Sequence, residues 1–204
     1  MLNTDGQYRL VFCTTAEVQL QPLANALRNE KFIGNVIFPN SSTEFCAGDN
    51  FLSSITFMGC SPYIEFEPPA DLQPATTAEF CFIRMSKTRL QRVMYHAYQL
   101  EKLKTIPRCQ RCRKVIEDWQ QQIKLFNSSK QLSCANCKAL LTADELDWRK
   151  ASGIGNIFIE VMNVFLQEAV PTDAFMQQLE SLTASKWNYF YTDTNIETKL
   201  LDRT

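Results

Sequence analysis

The sequence predicts an α+β fold, an antiparallel sheet with helices packed on it, interrupted by a small cysteine-bearing insert; a split β-α-β sandwich is its most economical form. Three observations lead there. The order strand, helix, strand occurs near both ends of the chain. Between those ends lies a segment of different texture that holds two Cys-x-x-Cys pairs. Charge follows the same division: residues 1–83 carry 3 basic and 9 acidic groups, residues 84–150 carry 15 and 6, and residues 151–204 carry 3 and 7. The organisation expected is therefore 1–85 as the first part of the core, 86–150 as a helix plus insert, 151–192 as the second part of the core, and 193–204 as a tail.

Each element has its own signal. In residues 7–14, Tyr8, Leu10 and Phe12 fall on one side and Val11 and Cys13 on the other, which predicts a strand covered on both faces. Residues 16–27 place Leu20, Leu23, Ala24 and Leu27 at helical spacing, with Pro22 confined to the first turn. Residues 32–38 and 51–58 read as short strands, linked by turn formers at 39–42 and 47–50. The alternation Ile64, Glu65, Phe66, Glu67 suggests a half-exposed strand over 63–67, followed by a proline-rich loop over 68–74 and a strand over 79–85.

Thr88 and Gln91 have the spacing of a capping box, and Leu90, Val93, Met94, Ala97 and Leu100 then mark one face of a helix that Pro107 ends. Val115, Ile116, Trp119, Ile123 and Phe126 fit a helical stripe, or a hairpin with a helical turn, before a turn at 127–130. Thr142 and Glu145 repeat the capping pattern and predict a short helix bearing Leu146 and Trp148. After Gly153 and Gly155, residues 156–165 read as a strand. A helix from Thr172 or Asp173 to Leu182 buries Phe175, Met176 and Leu179, and a last strand covers 187–191.

Composition removes several classes. A chain of 204 residues with 45% hydrophobic and 21% charged residues is globular, neither disordered nor fibrous. Its longest apolar run, 157–166, is interrupted by Glu160 and Asn163 and is too short to span a bilayer. Residues 1–9 lack the basic and apolar runs of a secretory leader, so a cytoplasmic, reducing setting is expected. The 8 cysteines then read as metal ligands and buried apolar groups, not as a disulfide framework.

Cys109 with Cys112, and Cys134 with Cys137, are spaced to surround one ion: four thiolates can close a tetrahedron around Zn²⁺. Such a closed set leaves no coordination position for a substrate, so one structural zinc is the expected cofactor and catalysis at the metal is not. The stretches Arg108-Cys-Gln-Arg-Cys-Arg113 and Ser133-Cys-Ala-Asn-Cys-Lys138 resemble the two knuckles of zinc-ribbon, or rubredoxin-like, modules over about residues 108–141. In many ribbons a glycine with positive φ follows the second cysteine of each knuckle; Arg113 and Lys138 stand at those places here.

Other constellations are weaker. Lys102, Lys104, Arg108, Arg111, Arg113, Lys114, Lys130 and Lys138 suit phosphate contact, with Trp119 or Trp148 for stacking, but they equally suit a solvated surface around an anionic metal site. His96 is the sole histidine, and a dyad with Cys60 is weighed against a buried thiol at a strand end. Glu65 and Glu67 share a strand face, which suits either acid–base chemistry or plain solvation. Gly153-Ile-Gly155 lacks the third glycine of a dinucleotide fingerprint and precedes a strand, so it reads as a turn. Trp187, Tyr189 and Tyr191 align as core packing or as a ligand platform.

The reading these features support is a non-catalytic zinc-binding adaptor. Its expected partner is a protein, or nucleic acid through the basic 84–150 region, and no membrane. The competing reading is an enzyme, or enzyme accessory, with a pocket in the core and a purely structural zinc.

Overall fold

The computed structural model describes residues 8–58, 64–69, 80–87, 106–119, 131–142, 145–165 and 168–193, together with the backbone of 93–94. The elements, in chain order, are β1 (Tyr8–Thr14), α1 (Leu20–Asn29), β2 (Ile33–Val36), β3 (Glu44–Ala47), α2 (Phe51–Ser54), β4 (Ile55–Phe57), β5 (Phe82–Lys87), β6 (Val93–Met94), β7 (Arg108–Cys109), β8 (Leu132–Ser133), β9 (Leu140–Leu141), β10 (Leu146–Asp147), β11 (Ile154–Gly155), β12 (Ile157–Val164), β13 (Ala169–Pro171), α3 (Asp173–Thr183) and β14 (Asn188–Asp193).

Six strands form one sheet of order β14-β1-β12-β5-β3-β2, and each neighbouring pair is antiparallel. The α+β class expected from the sequence is the class observed. β12, α3 and β14 make a split β-α-β unit: the two strands run parallel to one another on either side of β1. β1 lies between them with both edges paired, and packing on both of its faces leaves Leu10, Val11, Phe12 and Cys13 fully buried.

The helices share one face of the sheet. Leu10 and Phe12 of β1, Ile83 and Met85 of β5, and Ile159 and Val161 of β12 pack with Leu23, Ala24 and Leu27 of α1 and with Phe175 and Leu179 of α3. Phe32, just after α1, stacks on Phe175 with ring centroids 4.2 Å apart. α1 begins without a side-chain cap and admits Pro22 within its first turn, where a missing N–H costs nothing. α3 starts at a Thr172 hydroxyl that accepts the Phe175 N–H at 3.2 Å and stops at Ala184, whose φ of 48° ends the helical path.

The opposite face carries Val11, Cys13, Phe158 and Phe190, with an ion pair beside them. Arg9 Nη1 lies 3.0 Å from Glu160 Oε1, with the side chains 0% and 2% exposed. A bulge in β12 sets Arg9 of β1 against both Met162 and Asn163. Asn163 takes φ 59° there, and its Nδ2 donates to the Phe80 carbonyl at 2.7 Å.

The middle of the chain leaves the sheet at Lys87 and returns at Ile157, and these two residues are direct partners on β5 and β12. The chain thus enters and leaves the intervening segment at one rung of an antiparallel ladder. β7 pairs with β10, β8 with β9, and β11 with β6 inside or beside that segment.

Several local expectations are corrected. Residues 51–54 form a helical turn, not a strand: the Asn50 carbonyl accepts the amides of Ser53 and Ser54, and only Ile55–Phe57 remains extended, paired with β13. Residues 64–67 form no strand. Val93–Met94 pairs with Ile154–Gly155 instead of continuing a helix; the rest of the expected 88–104 helix lies outside the described residues. Thr142 and Glu145 make half of a capping box: the Thr142 N–H donates to Glu145 Oε2 at 2.7 Å, while the Glu145 N–H donates to the Thr142 carbonyl and not to its hydroxyl. Glu145 ends a single helical turn, and the expected helix bearing Leu146 and Trp148 does not form, because Leu146 and Asp147 pair with Cys109 and Arg108, and strand pairing to a distant segment outweighs a local cap. Val115 bridges Arg108, while the stripe and turn expected over 120–130 lie outside the described residues, as do residues 70–74 of the proline-rich loop. Gly153 and Gly155 make a close approach, not a turn: a Cβ on Gly153 would lie 2.6 Å from the Phe190 ring and 2.8 Å from Cys13 Sγ.

Candidate metal centre

Two short turns build the centre, and they are copies of one another. In the first, the Cys109 amide donates to the Lys114 carbonyl at 2.9 Å and the Arg113 amide to the Cys109 carbonyl at 2.8 Å. In the second, Cys134 donates to Ala139 at 2.9 Å and Lys138 to Cys134 at 2.8 Å. Arg113 and Lys138 take φ values of 63° and 57°. Both therefore hold the left-handed conformation that glycine would adopt without steric cost, at a strain on the order of 1 kcal/mol each. The absence of glycine changed the side chain and not the turn.

This geometry brings the four sulfurs together. Cys109 Sγ is 3.7 Å from Cys137 Sγ, Cys112 Sγ is 3.6 Å from Cys134 Sγ, and all four lie within 4.8 Å of one another. A tetrahedron with metal–sulfur bonds of about 2.3 Å has edges of about 3.8 Å, so the quartet is positioned to bind a metal ion. Burial is uneven: Cys109 and Cys134 are 0% and 1% exposed, Cys112 is half-buried, and Cys137 faces solvent.

Backbone amides prepare the sulfurs for charge. The Lys114 N–H donates to Cys112 and, with smaller help from Asn136 and the neighbouring sulfurs, lowers its thiol from 9.0 to about 6. The Ala139 N–H makes the matching contact to Cys137 and pulls it down, but desolvation and the sulfurs of Cys112, Cys134 and Cys109 outweigh that amide and raise it to about 11. A divalent ion favours the thiolate form at every position, which is how such quartets couple metal binding to proton release.

A separate hydrophobic cluster supports the centre. Ile116, Trp119, Leu132, Leu141, Leu146 and Trp148 pack with Cys109 and Cys134, and Ile154 joins them from the return to the sheet. Trp119 and Trp148 meet edge to face, with ring centroids 5.1 Å apart, and both are buried. Neither offers the stacking surface considered from the sequence. Arg111, Arg113, Lys114 and Lys138 are exposed and Arg108 is half-buried; Lys102, Lys104 and Lys130 lie outside the described residues.

Among the described residues the remaining candidates do not assemble into a second centre. Cys60 and His96 lie outside the described residues. Glu65 and Glu67 do not share a strand face: Glu65 Oε1 accepts the amides of Phe66 and Glu67, each at 3.1 Å, and so closes a turn. Trp187 donates its Nε1 proton to Thr183 Oγ1 at 2.8 Å, and the Tyr191 hydroxyl donates to the Ala169 carbonyl at 2.9 Å, so both are packing residues. Cys13 and Cys81 are buried as expected of small apolar groups, Cys46 is half-buried, and desolvation pushes the Cys81 thiol up to about 12. No helix among the described residues is long and apolar enough to cross a membrane.

Residues that sequence reading passed over are Arg149, Lys150 and Lys186. With Arg113 they line a cleft beside the cysteine turns, and only the tertiary fold brings them together. A tether lies at the same place: the Tyr191 amide donates to the Lys150 carbonyl at 3.0 Å, and Lys150 Nζ sits 3.4 Å from the centre of the Tyr189 ring. No protein-family model, no curated protein and no solved structure matches this chain.

Proposed function

We propose that this chain is a non-catalytic zinc-binding adaptor, an α+β core that presents a zinc-ribbon-like module of residues 108–141 to a protein partner in a reducing, cytoplasmic setting. The observation that carries the reading is the closed sulfur quartet of Cys109, Cys112, Cys134 and Cys137. Four protein ligands at tetrahedral spacing leave no site for a substrate, and all-thiolate sets suit zinc among the common cellular metals. The ion's role is then to hold the two turns and the small cluster around them in one shape.

A protein partner is favoured by where apolar surface is exposed. Ile106, Val115 and Leu140 are 44%, 44% and 56% exposed, and Val115 and Leu140 occupy the same position in the two turns, six residues after the first cysteine. Exposed apolar side chains on a rigid module are what protein interfaces cover. Trp119 and Trp148, the two rings considered for stacking, are both buried, which weighs against single-stranded nucleic acid at these positions.

Elemental analysis of purified protein is expected to give one zinc per chain. Cys134→Ser should release it and expose the module to protease; unchanged zinc content together with unchanged protease resistance refutes the assignment. Affinity capture should lose its partner with Cys109→Ser and with Val115→Ser/Leu140→Ser. A partner set untouched by both refutes the adaptor.

A further inference from the structure

Part of the positive charge of the middle segment gathers beside the cysteine turns. A cleft of about 390 Å³ opens where the module meets the sheet. Arg113 reaches it from the first cysteine turn, Arg149 and Lys150 from the return towards the sheet, and Lys186 from just before β14, against a single acid, Asp147. That acid is already engaged: Oδ2 lies 3.7 Å from Arg113 Nη1, and Oδ1 accepts the Arg149 amide at 3.0 Å. The other ion pairs among the described residues, Arg9–Glu160, Lys31–Asp49 and Arg84–Glu44, lie elsewhere. Arg149, Lys150 and Lys186 line the same cleft, and none has a carboxylate within ion-pair distance among the described residues, although Lys150 feels the charge of Asp147.

Like charges gathered along one cleft repel unless an anion joins them. The backbone does not relax to spread them: Arg149 and Lys150 hold φ values of 52° and 61°, two successive side-chain-bearing residues in the left-handed region, where such strain is typical of binding sites. The Lys150 ammonium is held over the Tyr189 ring at 3.4 Å, and the side-chain amides of Gln110 and Asn188 add neutral hydrogen-bonding groups to the lining. Two guanidinium forks and two ammonium groups exceed what one carboxylate can accept and suit the several oxygens of a phosphate. The volume falls in the range of about 300 to 1,000 Å³ that small-molecule sites occupy.

We propose that this cleft binds a nucleotide-type phosphate ester, with Arg113, Arg149, Lys150 and Lys186 holding the phosphate oxygens. The ligand is either a free nucleotide or the phosphorylated end of a strand. The site goes beyond the adaptor reading and rests on it in one respect, since the metal-organised turn places Arg113.

The test is calorimetric titration of the full zinc-loaded chain at low salt with inorganic phosphate, 5′-AMP and a 5′-phosphorylated hexanucleotide. Saturable binding of 5′-AMP or of the hexanucleotide is expected, weakening with added salt. It should drop at least about tenfold in Arg149→Ala/Lys186→Ala and persist both in the charge-conserving Arg149→Lys/Lys186→Arg and in Lys31→Ala, a lysine of the distant ion pair. A tighter hexanucleotide assigns the ligand to a strand end, and a 5′-AMP affinity as good or better assigns it to a free nucleotide. Absence of saturable binding by all three probes, binding that survives Arg149→Ala/Lys186→Ala, or inorganic phosphate bound as tightly as 5′-AMP overturns the proposal. Zinc content is read on the same samples. Lost binding with zinc retained locates the effect in the cleft, whereas zinc retained in Cys134→Ser refutes the metal assignment and leaves the cleft result standing.

Discussion

Lys138 is the sharpest place to perturb the cysteine turns, because its backbone conformation and not its side chain is what the turn uses. The side chain is exposed, φ is 57°, and the amide donates to the Cys134 carbonyl at 2.8 Å. Lys138→Gly removes a strain on the order of 1 kcal/mol but adds freedom to the unfolded chain worth about 0.5 to 1 kcal/mol, so stability should stay within about 0.5 kcal/mol of the parent. Lys138→Val places a β-branched side chain in the same region and should cost about 1 to 3 kcal/mol. Since the turn and the metal share one equilibrium, that cost should weaken zinc about 5- to 150-fold, at about 1.4 kcal/mol per factor of ten. Competition against a chromogenic zinc chelator reads the affinity directly, with thermal unfolding as the parallel measure. Arg113 should behave in the same way, because its contact with Asp147 is largely exposed and contributes little. Equal zinc affinity for the valine and glycine variants would show that the turn does not need the left-handed residue, and the reasoning would fail.

Three further outcomes are expected. Arg9→Met should destabilise the fold by about 3 to 5 kcal/mol in chemical denaturation by stranding buried Glu160, and Arg9→Met/Glu160→Leu should lie closer to the parent than the single variant; a double variant worse than the single excludes a net-charge penalty. Gly153→Ala should lower stability by about 1 to 3 kcal/mol, because the added Cβ meets the buried Phe190 ring and Cys13 sulfur; an unshifted melting temperature counts against that packing. Stability should also decline in alkali. Desolvation first, and Tyr189 second, raise the Tyr191 phenol from 10.0 to about 12, while burial raises Cys81 from 9.0 to about 12, so the unfolded chain loses these protons first. Their contribution is therefore intact below about pH 9 and fades towards about pH 12. Tyr191→Phe and Cys81→Ala should each flatten part of that decline in pH-dependent unfolding, and an unchanged slope in both refutes it.

The clustering of the cysteine quartet was legible because its signal is local: two cysteines three residues apart declare themselves whatever surrounds them. β1, β12, α3 and β14 were legible because long runs such as Leu10 to Cys13 and Phe175 to Leu179 keep one period. Short runs failed. Phe51 to Phe57 has the apolar content of a strand, yet the Asn50 carbonyl draws its first half into a helical turn. Leu146 follows a sound capping pattern, yet its pairing with Cys109 across the module decides its conformation. Arg149, Lys150 and Lys186 belong to different segments, so no spacing rule groups them. Trp119 and Trp148 show the reverse error, since aromatic rings beside basic residues invite a ligand when read along the chain and face one another once it is folded.

The partnership of Lys87 with Ile157 gives the insert a thermodynamic meaning. Viewed from the sheet, the roughly seventy residues between them are a hairpin loop, and closing a loop of that length in place of a tight turn costs only about 2.5 kcal/mol, because the penalty grows with the logarithm of length. A core of this kind tolerates a large visitor at little expense. An ion that ties Cys109 to Cys137 then shortens the effective loop and returns part of that entropy. The same antiparallel rung is thus a natural point at which a module could have been gained by an older sheet, or at which another could be grafted in its place.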